Sequence, residues 1–291
     1  AGSGTGTSWR TTSISGPPWP TRSTAVITFG SSVTCHILLG ASTMNKILAL
    51  WAVPRSRSTA FEHMMRVRGD YTCLHEPFGE AWYQGEDRRC PPQRFGDPTP
   101  GLTFASVWKN LQIRASRADS VFIKEFPHQV THMCDDVFLD HFTHSFLIRD
   151  PAKTLPSIYD KWQDFELSET GFAEQRTFFD RISDRDGSPP PVIDAEELVA
   201  DPGGVVAAWC DAVGIPFLAD ALSWETPSQE AHSWYNEGSW HDNLRSSTGL
   251  EAPVQNYLPV DANERLREAE ALCRPHYDHL HAHRLASRSQ R

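Results

Sequence analysis

The sequence predicts an α/β fold on a mostly parallel central sheet, and three observations carry that expectation. Ile47 to Val53 is an unbroken run of seven apolar residues, the pattern of a strand buried on both faces. It feeds a turn rich in Pro, Ser and Arg and then a helical pattern, with Phe61, Met64, Met65 and Arg68 at helical spacing. A second apolar run, Phe146-Leu147-Ile148, ends at Arg149 and again feeds a helix, so strand and helix alternate along the chain. The length of 291 residues suits one large α/β domain with a sheet of about five strands.

Composition narrows the class. Apolar residues make up 39% and charged residues 22%, which is ordinary for a globular chain. A net charge of −10 speaks against a nucleic-acid surface while leaving room for a local basic pocket. The six cysteines lack CxxC or CxxxC spacing and read as reduced, mostly buried thiols, so a cytoplasmic setting is expected. The ten tryptophans read mostly as core, with some available to an apolar acceptor pocket.

Residues 1–43 are rich in Gly, Ser and Thr, with Pro17, Pro18 and Pro20, and read as a disordered or non-native extension. Gly2-Ser3-Gly4-Thr5-Gly6 imitates a nucleotide loop, but no strand precedes it. Ala25 to Leu39 is too short and too polar to span a membrane. Met44 opens directly onto a clean strand, so residues 44–291 are taken as the single domain.

In the turn Pro54-Arg55-Ser56-Arg57-Ser58-Thr59, backbone N–H groups and the positive end of a helix dipole meet at one spot, which suits a phosphate. Arg55 and Arg57 with Ser56, Ser58 and Thr59 add charge-assisted donors. Thr59 and Glu62 stand in the spacing of a capping box, and an ordinary βα turn with a capped helix is the plainer alternative.

The run from Tyr71 to Phe78 reads as a second strand with a polar tip, placing His75 and Glu76 where ligands of open α/β sheets gather. The plainer role for Glu76 is a structural ion pair with an arginine. Glu80 to Thr103 reads as loop, with four prolines, and suits a lid or acceptor wall. Phe104 to Ala115 reads as a helix. Val121 to His128 follows as a strand, with Lys124 near its carboxyl end and His128 just beyond. Arg149 and Ser157 lie eight apart across a strand-to-helix turn, a bidentate fork and a short neutral donor for one phosphate.

A helix is expected over Gly171 to Ile182 and a loop over Asp184 to Pro190. A strand at Pro191 to Asp194 and a helix over Gly204 to Val213, closed by Gly214, complete this part. Trp240 to Leu250 reads as a loop containing Ser247, Thr248 and Gly249. Asp261 to Leu285 reads as a helix broken near Pro275. His279 and His283 there have i, i+4 spacing, but no acidic partner frames a metal site.

Taken together, these motifs resemble the PAPS-dependent sulfotransferase superfamily, particularly its bacterial members. Residues 54–59 are similar to the family's 5′-phosphosulfate loop, with Arg57 where the common pattern has glycine. If that position takes positive φ, an arginine there is strained by roughly 1–2 kcal/mol, or Arg57 itself reaches a ligand. Arg149 and Ser157 match the 3′-phosphate signature in the right order. The 191–217 run resembles the family's strand, Glu-Asp-Leu…Asp-Pro, helix and Leu-Gly-Ile-Pro-Phe, here ending Val213-Gly214-Ile215-Pro216-Phe217.

The resemblance implies a three-layer, P-loop-like fold and transfer of a sulfuryl group from 3′-phosphoadenosine 5′-phosphosulfate (PAPS) to a hydroxyl or amine of a small-molecule acceptor. It further implies PAP as product, with no nucleic-acid or membrane partner. Arg55, Ser56, Arg57, Ser58, Thr59, Arg149, Ser157, Ser247, Thr248 and Gly249 then hold the cofactor. Arg55 and Lys124 supply charge, Glu76 is the base, and His128 is the alternative base, with three residues between it and Lys124 where the family commonly has one, as in Lys-Thr-His. Two other classes remain open: a P-loop phosphotransferase, opposed by the missing Walker lysine, and a sulfotransferase-shaped lyase or cyclase acting on another diphosphate ester.

Overall fold

The computed structural model describes residues 47–91, 94, 96–118, 120–226, 247–251 and 257–290. The expected extension over residues 1–43 lies outside them. Five strands form one sheet: β1 (Ile47–Ala52), β2 (Thr72–His75), β3 (Val121–Glu125), β4 (Phe142–Ile148) and β5 (Val192–Asp194). Their order is β2-β3-β1-β4-β5, and every neighbouring pair runs parallel, with Leu48 beside both Phe122 and Thr143. Parallel pairing puts all five carboxyl ends on one edge, where the loops carrying the expected site residues emerge.

The alternation of β1 explains the layers. Ile47, Ala49 and Trp51 face one apolar core, and Leu48, Leu50 and Ala52 face the other. The first core is covered by α3 (Phe104–Arg117), α6 (Pro151–Tyr159), α7 (Phe172–Asp186) and α10 (Glu264–His281). The second is covered by α1 (Ser58–Arg68), α8 (Ala195–Ala200) and α9 (Pro202–Val213). Helices on both faces of a parallel sheet are the three-layer architecture the sequence predicts. The remaining short helices are α2 (Gly79–Gln84), α4 (Pro127–Val130) and α5 (Asp136–Leu139). No helix among the described residues is long and apolar enough to cross a membrane.

Five local expectations need correction. The strand expected over Val121 to His128 ends at Glu125, and Pro127 opens α4, which carries His128. The Thr59–Glu62 capping box does not form: α1 begins at Ser58 with Arg57 as its cap, two residues earlier than that box requires, and Glu62 turns to Arg66 instead. The second strand stops at His75, because Glu76 takes φ 38° and turns the chain. Part of the expected loop over Glu80–Thr103 is α2, docked by the fully buried Phe78 and Ala81. The last helix runs unbroken through Pro275, anchored on the core by Leu266, Ala269, Cys273, Tyr277 and Leu280.

Candidate active site

The loop after β1 is folded on itself. Ser56 is fully buried and donates its Oγ–H to the Val53 carbonyl at 2.7 Å. Arg55 and Arg57 both take left-handed backbone, with φ 63° and 70°. Glu76, at the tip of β2, also has positive φ. Among the described residues these are the three non-glycine residues with positive φ. Left-handed backbone costs a residue with a Cβ roughly 1–2 kcal/mol, and such strain gathers at functional sites. Arg57 therefore takes a conformation that glycine adopts at no steric cost, at the position where the common pattern has glycine. It caps α1 through its carbonyl, which accepts from Phe61 N at 3.2 Å, and its Nη1 donates to the Glu251 carbonyl at 3.0 Å.

The turn after β4 locks onto this loop. Arg149, 3% exposed, donates from Nη1 to the Arg55 carbonyl at 2.8 Å. Arg55 in turn donates from Nε to Ser157 Oγ, on α6, at 2.9 Å. The two motifs, 94 residues apart at Arg55 and Arg149, thus become one cluster. Beside it lies a cavity of about 320 Å³ lined by Arg57, Arg149, Lys153, Glu196, Tyr257 and Leu258 among others. Burial and the Arg57 guanidinium pull Arg149 below the ordinary arginine range. Burial works against the Glu196 carboxylate, yet Lys153, Arg149 and Arg57 together hold it below the usual carboxyl range.

The ends of β2 and β3 make a second cluster. Lys124 is 1% exposed, and its ammonium pairs with the Glu76 carboxylate while lying 4.6 Å from the centre of the Phe126 ring. His75 Nε2 is 3.4 Å from Glu76 Oε1, and its Nδ1 is 2.6 Å from Glu62 Oε2 on α1. Burial raises the Glu62 carboxyl, but His75, Lys124 and Arg66 overcome it and take the value down to about 2. Ionised, Glu62 can only accept, so Nδ1 carries the proton and Nε2 is the nitrogen turned toward Glu76. Next to them Glu125 accepts from Phe78 N at 2.8 Å and Phe126 N at 2.7 Å. Burial and the Glu76 charge push its carboxyl up to about 8.

His128 does not join this cluster. It sits in α4, buried, stacked 5.7 Å from the Phe126 ring and edge-on to Trp82, with neither ring nitrogen hydrogen-bonded. Burial takes it down to about 3. It also presses on Gly171, where a Cβ would lie 2.9 Å from Nδ1 and φ is 73°.

Ser247, Thr248 and Gly249 lie against the strand-like segment at Ser223–Trp224. Trp224 N donates to the Thr248 carbonyl at 3.0 Å and its Nε1 to the Ser247 carbonyl at 3.1 Å. Gly249 bridges Ser223, with room for no easy Cβ beside the Leu222 carbonyl. This segment meets the first cluster through Glu251, which receives Arg57. The expected loop residues 240–246 lie outside the described residues.

The model of the sulfotransferase domain family matches residues 45–283. The chain belongs to that family. It is similar to two Arabidopsis thaliana proteins called branched-chain-amino-acid aminotransferase-like. Protein 2 is 28% identical over 82% of this chain and 42% of its own length, and protein 1 is 26% identical over 72% and 37%. The chain therefore spans less than half the length of these curated relatives. Among solved structures it resembles the sulfotransferase domain of the Synechococcus PCC 7002 olefin synthase, with 16% identity and a TM-score of 0.44 over 78% of this chain and 94% of that one. The sulfotransferase domain from the curacin biosynthetic pathway gives 14% identity and a TM-score of 0.39, covering 78% and 97%.

In this sulfotransferase-family chain the two clusters differ in chemical capacity. The first offers guanidinium forks, a buried serine hydroxyl and strained loop backbone beside an open cavity, which are the means to hold phosphate groups. The second offers a carboxylate with a lysine and a carboxylate-anchored imidazole behind it, which are the means to move a proton. The roles of Glu62 and His75 were missed as a pair. The available signal was a glutamate on the same helical face as Phe61 and Met65, a polar residue at a core-facing position.

Proposed function

We propose that this sulfotransferase-family chain moves a sulfuryl group from PAPS to a hydroxyl or amine of a small-molecule acceptor. The observation that carries the reading is the Arg149–Arg55–Ser157 linkage, which joins the two phosphate motifs beside the basic cavity. The residues present fit the donor: a buried arginine and serine for its 3′-phosphate, and for its 5′ end the segment Arg55 to Thr59, left-handed at Arg55 and Arg57 and opening α1 at Ser58. PAPS, when bound, supplies the activated sulfuryl group and a phosphate leaving group.

The chain's own part is alignment, charge and one proton. Arg149 and Ser157 hold the 3′-phosphate, with Ser247, Thr248 and Gly249 bordering the loop through Glu251. Arg55, Ser56, Arg57, Ser58 and Thr59 surround the phosphosulfate end. Arg55 and Lys124 provide positive charge where the leaving oxygen gains electrons. Glu76 takes the acceptor's proton on its carboxylate, oriented from behind by its ion pair with Lys124, while Glu62 fixes the His75 ring beside it. His128 has no base role in this reading, since its ring is enclosed by Trp82, Phe126 and Gly171.

Calorimetry with PAP tests the donor site, and labelled PAPS with a library of hydroxylated and amino metabolites tests transfer. Micromolar PAP binding and label on at least one acceptor are expected. Thermal stabilisation by ATP or a prenyl diphosphate, but not by PAP, would redirect the reading to a phosphotransferase or to a diphosphate-ester enzyme.

A further inference from the structure

The basic cavity already contains an anion. Glu196, in the first turn of α8, places Oε2 at 2.6 Å from Lys153 Nζ, and Oε1 at 3.3 Å from Arg149 Nε and 3.9 Å from Arg57 Nη2. All four residues line the cavity. The two arginine side chains are 4% and 12% exposed at Arg149 and Arg57, whereas the Glu196 and Lys153 side chains are 34% and 50% exposed. Buried like charges repel: Arg149 is flanked by Arg57 and Arg55, and the Glu196 carboxylate offsets them. A phosphate taking the same cations meets that carboxylate as a like charge.

We propose that Glu196 is a resident counter-anion of the phosphate cavity, which an incoming phosphate monoester must displace and which singly charged anions do not. The inference rests on the reading of the cavity as the 3′-phosphate site. A phosphate monoester near pH 7 carries between one and two charges and three acceptor oxygens, so it outcompetes one carboxylate for three cations. A monoanion exchanges like for like and gains nothing by the exchange. Displacement is local. The Glu196 backbone is fixed, because the Asp194 carboxylate accepts from its N–H at 2.9 Å and from Glu197 N at 3.1 Å. The side chain, a third exposed, has solvent to swing into. Glu197 cannot replace it, being engaged with Arg284 at 2.6 Å. Glu196 is thus a selectivity residue that also limits how tightly the product is held.

The test compares wild type and Glu196→Gln by calorimetry with PAP and with 5′-AMP, which lacks the 3′-phosphate. It adds thermal shift with inorganic phosphate and with acetate at matched ionic strength. Glu196→Gln is expected to bind PAP at least about tenfold more tightly, with 5′-AMP changed less than about threefold. Acetate is expected to stabilise the variant but not the wild type, and phosphate to stabilise both. Glu196→Asp, whose shorter arm withdraws the carboxylate, gives the same direction with a smaller gain and serves if the glutamine variant fails to fold. PAP affinity that is unchanged or weaker in the variants, in a wild type that binds PAP, overturns this inference alone and makes Glu196 a positioning partner of Arg149. No PAP binding by any of the proteins overturns the donor reading along with it.

Discussion

The two clusters at the carboxyl edge of the sheet are built on opposite plans. At the ends of β1, β4 and β5, Arg57, Arg149, Lys153 and Glu196 border an open cavity, and its lining cations outnumber its anions. At the ends of β2 and β3, Glu62, His75, Glu76, Lys124 and Glu125 are largely buried, and charges are matched internally. An open cluster with surplus charge gains by adding a ligand. A closed cluster of matched charges gains by holding one group in one orientation. Recognition and proton handling are therefore separable by mutation, and the contrast can be tested from the largest expected effect downward.

Glu76→Gln keeps shape and hydrogen-bonding capacity while removing the base. Sulfuryl transfer is expected to fall about 10²–10⁴-fold with PAP affinity nearly unchanged. Full activity in this variant would move the base elsewhere. His128→Ala should act mainly on stability, through the cavity it leaves among Trp82 and Phe126.

Glu62 gives a pH signature to the closed cluster. Its carboxyl is depressed from 4.5 to about 2 in the folded state. Its contribution is therefore present above the unfolded value near 4.5 and is lost as pH falls toward 2, amounting to about 3 kcal/mol at most. Urea unfolding of wild type and Glu62→Gln should differ most at pH 6 and converge below pH 4.5. A gap independent of pH would show that the carboxylate charge is not what stabilises His75.

Arg149→Ala strikes the open cluster. Losing a charged phosphate contact should weaken PAP by roughly 30- to 150-fold, about 2–3 kcal/mol, without shifting the pH dependence of stability seen for Glu62. Equal PAP affinity in a folded variant removes the 3′-phosphate assignment.

The smallest effect concerns strain. Arg57→Gly relieves left-handed backbone at φ 70° but loses the bond to the Glu251 carbonyl. A melting temperature unchanged or raised by up to about 4 °C, with weaker PAP binding, is expected. A fall of several degrees would show that the arginine side chain contributes more to folding than its backbone costs.

Legibility followed the same divide. β1 and the end of β4 were readable because strands buried on both faces show continuous apolar runs, whereas Thr143, His144 and Ser145 hid the first half of β4; the loop at 54–59 and the Arg149/Ser157 spacing are local patterns. The pairing of Arg149 with the Arg55 carbonyl was not written in either motif, although both motifs were. The Glu62–His75–Glu76 chain was opaque for a different reason. Its members lie on a helix and the strand after it, and only the packing of α1 over the sheet brings them together. Glu62 also fitted a cap three residues after Thr59, and the start of α1 at Ser58 is decided by the backbone of Arg57, not by a side-chain signal. His128 looked available beyond β3 because a sequence does not reveal which side of a turn faces the core.

The bond from Arg149 to the Arg55 carbonyl has a consequence for the dynamics of the whole sheet. It exists only while β1 and β4, neighbours in space at the centre of the sheet, are in register. A ligand that needs this bond therefore binds only molecules whose central strands are closed, and every ligand bound removes one molecule from the opening equilibrium. Ile47 N donates to the His141 carbonyl beside β4, and Ala49 and Trp51 share that side of β1. Amide hydrogens of these three residues should then exchange more slowly as PAP is added, by the factor one plus ligand concentration over Kd, wherever exchange proceeds through separation of these strands. The centre of the sheet would serve as a gauge of occupancy, readable in protein that has never met its acceptor.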